Sequence, residues 1–370
     1  MKAWLAALAC LSLSGCASVG YYWQAVHGHL SLMQASRPIG SWLQDEATPE
    51  RLKARLALAA RMRAFATQEL GLPDNRSYQS YADLQRPAAV WNVVAAPELS
   101  LRPHRWCFPV AGCVSYKGFF SETLAQQEAQ ALRVQGLEAV VQPVPAYSTL
   151  GWLNWAGGDP LLSSFIGLPE GELARLIFHE LAHQVVYVAG DTTFNESFAT
   201  AVERLGGARW LAQSTGEVRA QFAAYDGRRQ QFRQLTQALR RELAQVYGEA
   251  AAEPAQAPRL LSETERQRLL GLKQAAMARF KARYAELKTS WGGYAGYDAW
   301  VARSNNAALA GLAEYEDLTP AFEALFKRAG SWALFYDEVR HLAQLPQPER
   351  LALLNGLVGQ RAPSGMAALP

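Results

Sequence analysis

The chain has 370 residues, half of them apolar and 19% charged, which is enough for one large domain or two and excludes a disordered polypeptide. A net charge of +3 provides no concentrated basic face, so nucleic acid is not expected as a partner. The arginines between 204 and 288 are interleaved with Glu and Gln, the pattern of a solvated helix surface.

Met1-Lys2 is positively charged, and an apolar run from Ala3 to Leu13, broken at Ser12, follows it. That run is too short to span a bilayer and suits the core of a signal peptide. It ends in Leu13-Ser14-Gly15-Cys16, which resembles the lipobox of bacterial lipoproteins, where the chain is cut before the cysteine and the cysteine is acylated. The resemblance implies a signal peptide over 1–15 and a lipid at Cys16; an ordinary signal peptide containing a cysteine is the alternative. Residue 17 is Ala rather than Asp, which implies an anchor in the outer membrane facing the periplasm. No later segment is apolar for long enough to cross a membrane.

Residues 16–48 read as a tether with a helix within 17–40, carrying Leu30 and Met33 on one face. Thr48-Pro49-Glu50 starts a helix over 49–70, and Gly71-Leu72-Pro73 stops it. Strands are expected at Val90–Ala96, Val114–Phe120 and Leu137–Val141, with a helix at 121–135 and Pro143 and Pro145 closing the third strand. Cys107 and Cys113 have the wrong spacing for a CxxC metal site, and export favours a disulfide between them, with a free pair of thiols as the alternative. Tyr147–Trp155 is a candidate edge strand for binding an extended peptide, or simply a structural strand, and Gly157-Gly158-Asp159-Pro160 is a turn.

Beyond residue 171 the pattern is helical. Helices over 208–248 and 259–288, joined by Glu253–Pro258, form a hairpin spanning 207–290. Helices at 296–330, 331–343 and 347–358 form a C-terminal part, 291–360, closing the cleft, and the tail 361–370 is expected to be disordered. The fold class is α+β and mainly α-helical, with a small N-terminal sheet beside the active-site helix of a catalytic core over 49–206.

The chemistry centres on Phe178-His179-Glu180-Leu181-Ala182-His183. Histidines four apart share one face of a helix and can grip one tetrahedral zinc ion, while the glutamate beside the first can serve as general base. With six His and 24 Glu in the chain, chance produces such a motif about 0.006 times, so coincidence is disfavoured. Glu196, in Asn195-Glu196-Ser197-Phe198-Ala199, is the candidate third ligand, in the first turn of a second helix capped by Thr192 or Thr193. Its alternative role is a carboxylate favoured by the helix dipole. Glu203, seven residues on, is a candidate acceptor for a ligand histidine or a plain surface residue. Tyr294, Tyr297 and His341 are candidates for stabilising an oxyanion, each with a core or surface role as the alternative, and Tyr147 and Asn305 are candidate substrate contacts.

The Asn195–Ala199 segment resembles the Asn-Glu-Gly-Phe-Ala segment of the gluzincin zinc aminopeptidases, though those have a longer insert between the second histidine and the glutamate. The wider chain resembles a bacterial lipoprotein family of predicted aminopeptidases, through Tyr21–Gln24, Cys107–Gly118, Tyr147–Trp152, Asp159–Leu162, Phe178–Gln184, Gly190–Thr200, Asn305-Asn306-Ala307 and Pro320-Ala321-Phe322. The resemblance implies one zinc ion, peptide or protein substrates and removal of residues from the amino end. A zinc endopeptidase acting on periplasmic proteins or cell-wall peptides is the second reading. A lipid-anchored interaction protein with a non-catalytic zinc site is the third. Oligomeric state is not legible.

Overall fold

The structure is a computed structural model that describes residues 20–108, 112–149, 157–249, 261–312 and 318–359. The expected signal peptide, Cys16, the Glu253–Pro258 link, most of the Tyr147–Trp155 segment and the tail lie outside the described residues.

The fold is mainly helical α+β, as expected, but the strands that share a core with the helix bearing His179 are not ones the sequence pattern singles out. Helix α1 covers 20–34 and leads into β1 (Ser36–Pro38) and α2 (Ile39–Gln44). Helix α3 (Glu50–Leu70) follows and ends on Gly71 at φ +63°, a left-handed cap that glycine adopts without a Cβ penalty. β1 pairs antiparallel with β2 (Ser80–Ala82), which pairs in parallel with β8 (Leu161–Leu162). Tyr81, Ala82, Leu161 and Leu162 of this short sheet share one apolar core with Leu173 and Ile177. The runs at 36–38, 80–82 and 161–162 are too short for alternation to register.

The expected strands build a separate sheet, β6-β3-β7, antiparallel throughout, with β3 (Val90–Pro97) central between β6 (Lys117–Phe119) and β7 (Leu137–Val144). β3 is apolar at almost every position because both faces are covered. Trp91, Val93 and Ala95 meet Ala125, Ala129 and Leu132 of α4 (Glu122–Val134), and Val94 and Ala96 meet Ala307, Ala308 and Ala310 of α10 (Asn306–Gly311). β7 runs past Pro143, where the sequence suggests a stop. Pro143 pairs with Trp91 on an edge strand, where one missing donor is tolerated. The expected strand over 114–120 is split between β6 and a small hairpin of β4 (Trp106–Phe108) and β5 (Gly112–Val114), joined by a Cys107–Cys113 disulfide. Residues 147–149 are not a strand, and Thr149 instead donates to Asp159 through its N–H at 3.0 Å and its hydroxyl at 2.8 Å.

The helical part is built on α5 (Glu170–Ala182) and α6 (Thr192–Ala212). Gly206 and Gly207 let them approach: a Cβ on Gly206 would stand 3.1 Å from Phe178 and one on Gly207 2.8 Å from Arg175. α6 runs through the boundary expected at 206/207. The hairpin itself begins at Gly216, where Thr215 caps α7 (Gly216–Tyr247), and continues in α8 (Glu263–Ser290). Gln231 accepts from the Trp291 indole at 2.5 Å and Glu242 pairs with Arg279, so one helix rises as the other falls. In place of one helix over 296–330 stand α9 (Asp298–Ala302), α10 and α11 (Thr319–Ala329), because Asn305 caps α10 and Pro320 opens α11. Helices α12 (Trp332–Gln344) and α13 (Gln347–Gly359) complete the chain. Phe194 and Phe198 of α6 pack on Phe322 of α11, and Phe198 also meets Phe335 of α12. Among the described residues no helix is long and apolar enough to cross a membrane.

Arg350 of α13 reaches back to the start of α6. It pairs with Asp191 at 2.6 Å, donates to the Leu345 carbonyl at 2.9 Å and covers the Phe194 ring at 4.9 Å. Both charges are almost fully buried. Removing one strands the other, so Arg350→Ala is expected to lower unfolding free energy by about 3 kcal/mol, while Arg350→Met with Asp191→Asn recovers most of it. Urea unfolding monitored by circular dichroism measures both, and an Arg350→Ala cost within error of zero would contradict the clamp.

Candidate metal centre

Helix α5 is apolar on the faces that carry Leu173, Ala174, Ile177, Phe178 and Leu181, all buried. His179 and His183 lie one turn apart on its remaining face, with His183 at the helix end. The chain then turns back within eight residues. Asn195 closes this turn: its Oδ1 accepts the Val188 N–H at 2.8 Å and its Nδ2 donates to the Val188 carbonyl at 2.8 Å. Asp191, rather than Thr192 or Thr193, caps α6 by accepting the Phe194 N–H at 3.1 Å, so Glu196 stands just beyond the first turn.

This return brings three donors together. The two Nε2 atoms are 3.2 Å apart; Glu196 Oε2 is 3.3 Å from that of His179 and Oε1 is 3.7 Å from that of His183. Donors about 2.0–2.1 Å from a tetrahedral ion stand about 3.4 Å from one another, so the triangle has the dimensions of three ligand positions with the fourth left over. Two inward-facing imidazole nitrogens at 3.2 Å repel unless a proton or a cation lies between them. His179, His183 and Glu196 are thus a possible metal site, and among the described residues they are its whole donor set.

Glu203, on the same face of α6, is where the sequence spacing points. Its Oε2 accepts from His179 Nδ1 at 2.9 Å, which leaves Nε2 aimed at the cluster. Behind it lies a charge network that the sequence reading missed. Arg175 pairs with Glu203, with Asp226 of α7 at 3.2 Å and with Glu172 at 3.8 Å. Arg229 of α7 pairs with Glu172 at 2.7 Å and with Asp226. The one trace of this in the sequence is a basic residue, Arg175, one turn before His179. The hairpin is therefore not a free arm, since α7 is joined to the support of His179.

The electrostatics suit a cation. Burial alone would lower His179, but hydrogen bonds to Glu196 and Glu203 hold its pKa well above the ordinary imidazole value. Burial and the neighbouring His179 pull His183 down to about 4. Glu196 and Glu203 lie below the usual carboxylate range despite burial, because each is hydrogen-bonded to His179. Burial pushes Glu180 up to about 7 against the pull of His179, with Glu196, Asp159 and Glu203 adding to the rise.

Three further residues belong to this neighbourhood without a sequence motif. Tyr78 is buried at φ +64°, and burial with the charges of Glu180 and Asp159 raises its hydroxyl well above 10. Asp159 is buried and accepts from Ser148 and Thr149. Tyr187, half exposed, is raised by burial and by Glu196. The expected contacts fare differently. Tyr147 packs on Phe120 and His29, and burial together with Asp159 pushes it up to about 12. Tyr297 stacks on Phe232 at 4.0 Å, Tyr294 lies under Arg228 at 4.4 Å, Asn305 accepts the Ala308 N–H at 3.0 Å, and His341 is exposed on α12. Among the described residues no hydrogen bond, ion pair or ring contact joins these last four to the three donors.

Residues 20–354 match the model of a family described as "Putative aminopeptidase", and the chain belongs to that family. No curated protein and no solved structure matches it.

In the metal-free chain the raised pKa of His179 stabilises the fold below the ordinary imidazole value of about 6.5, and that stabilisation is lost as pH rises through the raised value. A cation must expel this proton, so Zn2+ titration at neutral pH is expected to release protons, seen as a buffer-dependent heat in calorimetry. Glu203→Gln removes the negative charge behind His179 and its ion pair with Arg175, and is expected to weaken Zn2+ binding by about 10–100-fold in chelator competition. Unchanged affinity would mean that Glu203 does not position the ligand.

Proposed function

We propose that this member of the family is a zinc-dependent aminopeptidase of gluzincin type, with His179, His183 and Glu196 as zinc ligands and Glu180 as general base. The observation that carries the reading is the donor triangle, whose edges of 3.2, 3.3 and 3.7 Å suit tetrahedral zinc, with a carboxylate next in the chain to the first histidine. Two imidazoles and a carboxylate with one position left for substrate is the catalytic rather than the structural type of zinc set. Peptide hydrolysis at the amino end is supported by family membership.

Bound there, zinc supplies Lewis acidity toward a scissile carbonyl and acidifies the attacking water. Glu180 takes that water's proton on its carboxylate and returns it to the leaving amine. Glu203 fixes the His179 tautomer, and Arg175 keeps Glu203 charged and in place. The Asn195 clamp holds Val188, and with it the adjacent Tyr187 at the site's edge. Lipid attachment at Cys16 and a periplasmic setting belong to the same proposal. The order of charge, apolar core, small residues and cysteine supports the anchor, and the Cys107–Cys113 disulfide suits an oxidising compartment.

Glu180→Gln is expected to retain zinc and to lower kcat by about 10²–10⁴-fold on unblocked peptides. Products of the wild type should appear one residue at a time from the amino end, with acetylated peptides resistant. Internal fragments would assign an endopeptidase, and zinc-loaded protein that cleaves no peptide would sink the hydrolase reading. As a base Glu180 must be ionised, so kcat/KM should fall as pH drops through its pKa. That limb lies at or below about 7, because a bound dication favours the carboxylate.

A further inference from the structure

Helix α1 is unusual for a helix at a protein surface. Residues 20–34 contain no Asp, Glu, Lys or Arg, although it is exposed along one side. On that side stand Trp23, 71% exposed, Val26 at 55% and Leu30 at 52%, spaced three and four apart and so in one row, with Tyr22 beside them. Leu124 continues the apolar surface across a groove of about 530 Å3 lined by Trp23, His27, Ser31 and Arg86.

The opposite side of α1 is held by the rest of the protein. Gln24 accepts the Phe120 N–H at 3.0 Å, Gly28 lies so close to Phe120 that a Cβ would meet it at 2.1 Å, and Leu32 is buried. The row is thus presented by a docked helix in a fixed orientation. Its position in the chain indicates what covers it. Gly20 is four residues after Cys16, and four residues reach at most about 14 Å whatever their conformation. A lipid at Cys16 would therefore keep α1 within reach of the bilayer surface.

We propose that α1 lies against the phospholipid bilayer, with Trp23, Val26 and Leu30 seated at the boundary between headgroups and acyl chains. The contact rests on the proposed lipid at Cys16 for its proximity and is separate from it in substance. Trp and aliphatic side chains on one side of a helix partition into that boundary, and a helix without charges loses no ion hydration on doing so. Because His29 on the inner side of α1 packs on Tyr147, the helix that faces the lipid also borders the neighbourhood of the metal cluster.

The test uses the full chain processed by the cell and reconstituted in phosphatidylethanolamine–phosphatidylglycerol vesicles. Val26→Cys and Leu30→Cys are labelled with a fluorophore, with Leu334→Cys at an exposed position of α12 as control, and vesicles carry a quencher on the acyl chain. Peptide mass confirms the labelled position and reports whether Cys16 is acylated. The expected result is quenching severalfold stronger at 26 and 30 than at 334, and weakened when Trp23→Ser is added. Quenching at 26 and 30 no greater than at 334 overturns the contact, whether or not Cys16 is acylated. Shielding that grows with protein concentration and ignores the lipid would assign the row to a second copy of the chain and also overturn it. An unmodified Cys16 with quenching retained sinks the lipid anchor and leaves the contact standing.

Discussion

Two imidazole nitrogens 3.2 Å apart at the end of an apolar helix set the terms for the structure around them. Hydrogen bonds to carboxylates on both sides hold the His179 pKa well above the ordinary imidazole value. Those carboxylates are themselves buried, so each needs support. Glu203 finds it in Arg175, and Arg175 in turn lies among Glu172, Glu203 and Asp226. Glu196 depends on the turn that returns α6 to α5, a turn fixed by Asn195 on one side and by the Asp191–Arg350 pair on the other. The helical hairpin and the C-terminal helix are both drawn into this chain of dependence, although neither contributes a donor.

How much of this could be read beforehand depended on the range of the signal. His179, Glu180 and His183 are local, since their relation follows from one turn of helix. Glu196 and Glu203 are reachable because the distance back is short and both fall on one face of the next helix. Arg175 with Asp226 is not reachable, because their meeting depends on how α7 lies against α5, which no spacing encodes. The sheet was legible where strands are long and doubly covered, as at Val90–Pro97, and illegible at β1, β2 and β8, where two or three residues pair. Tyr294, Tyr297 and His341 were drawn from the residue types that suit an oxyanion. Tyr297 instead packs face to face on Phe232 within the hairpin, a role that composition does not distinguish from a catalytic one.

The site and α1 meet at a layer of aromatic and polar side chains. His29, Tyr147 and Phe120 form a row between α1 and Asp159, and Asp159 is near enough to act on Glu180 electrostatically.

The short return between His183 and Glu196 has a further consequence. With the turn pinned at Val188 and the helix started at Asp191, the angular position of Glu196 is counted from a fixed origin. One residue inserted between Asp191 and Glu196 would swing the carboxylate by about 100° around α6, toward the phenylalanines that pack on α11. The four residues between Asp191 and Glu196 therefore set where that carboxylate points.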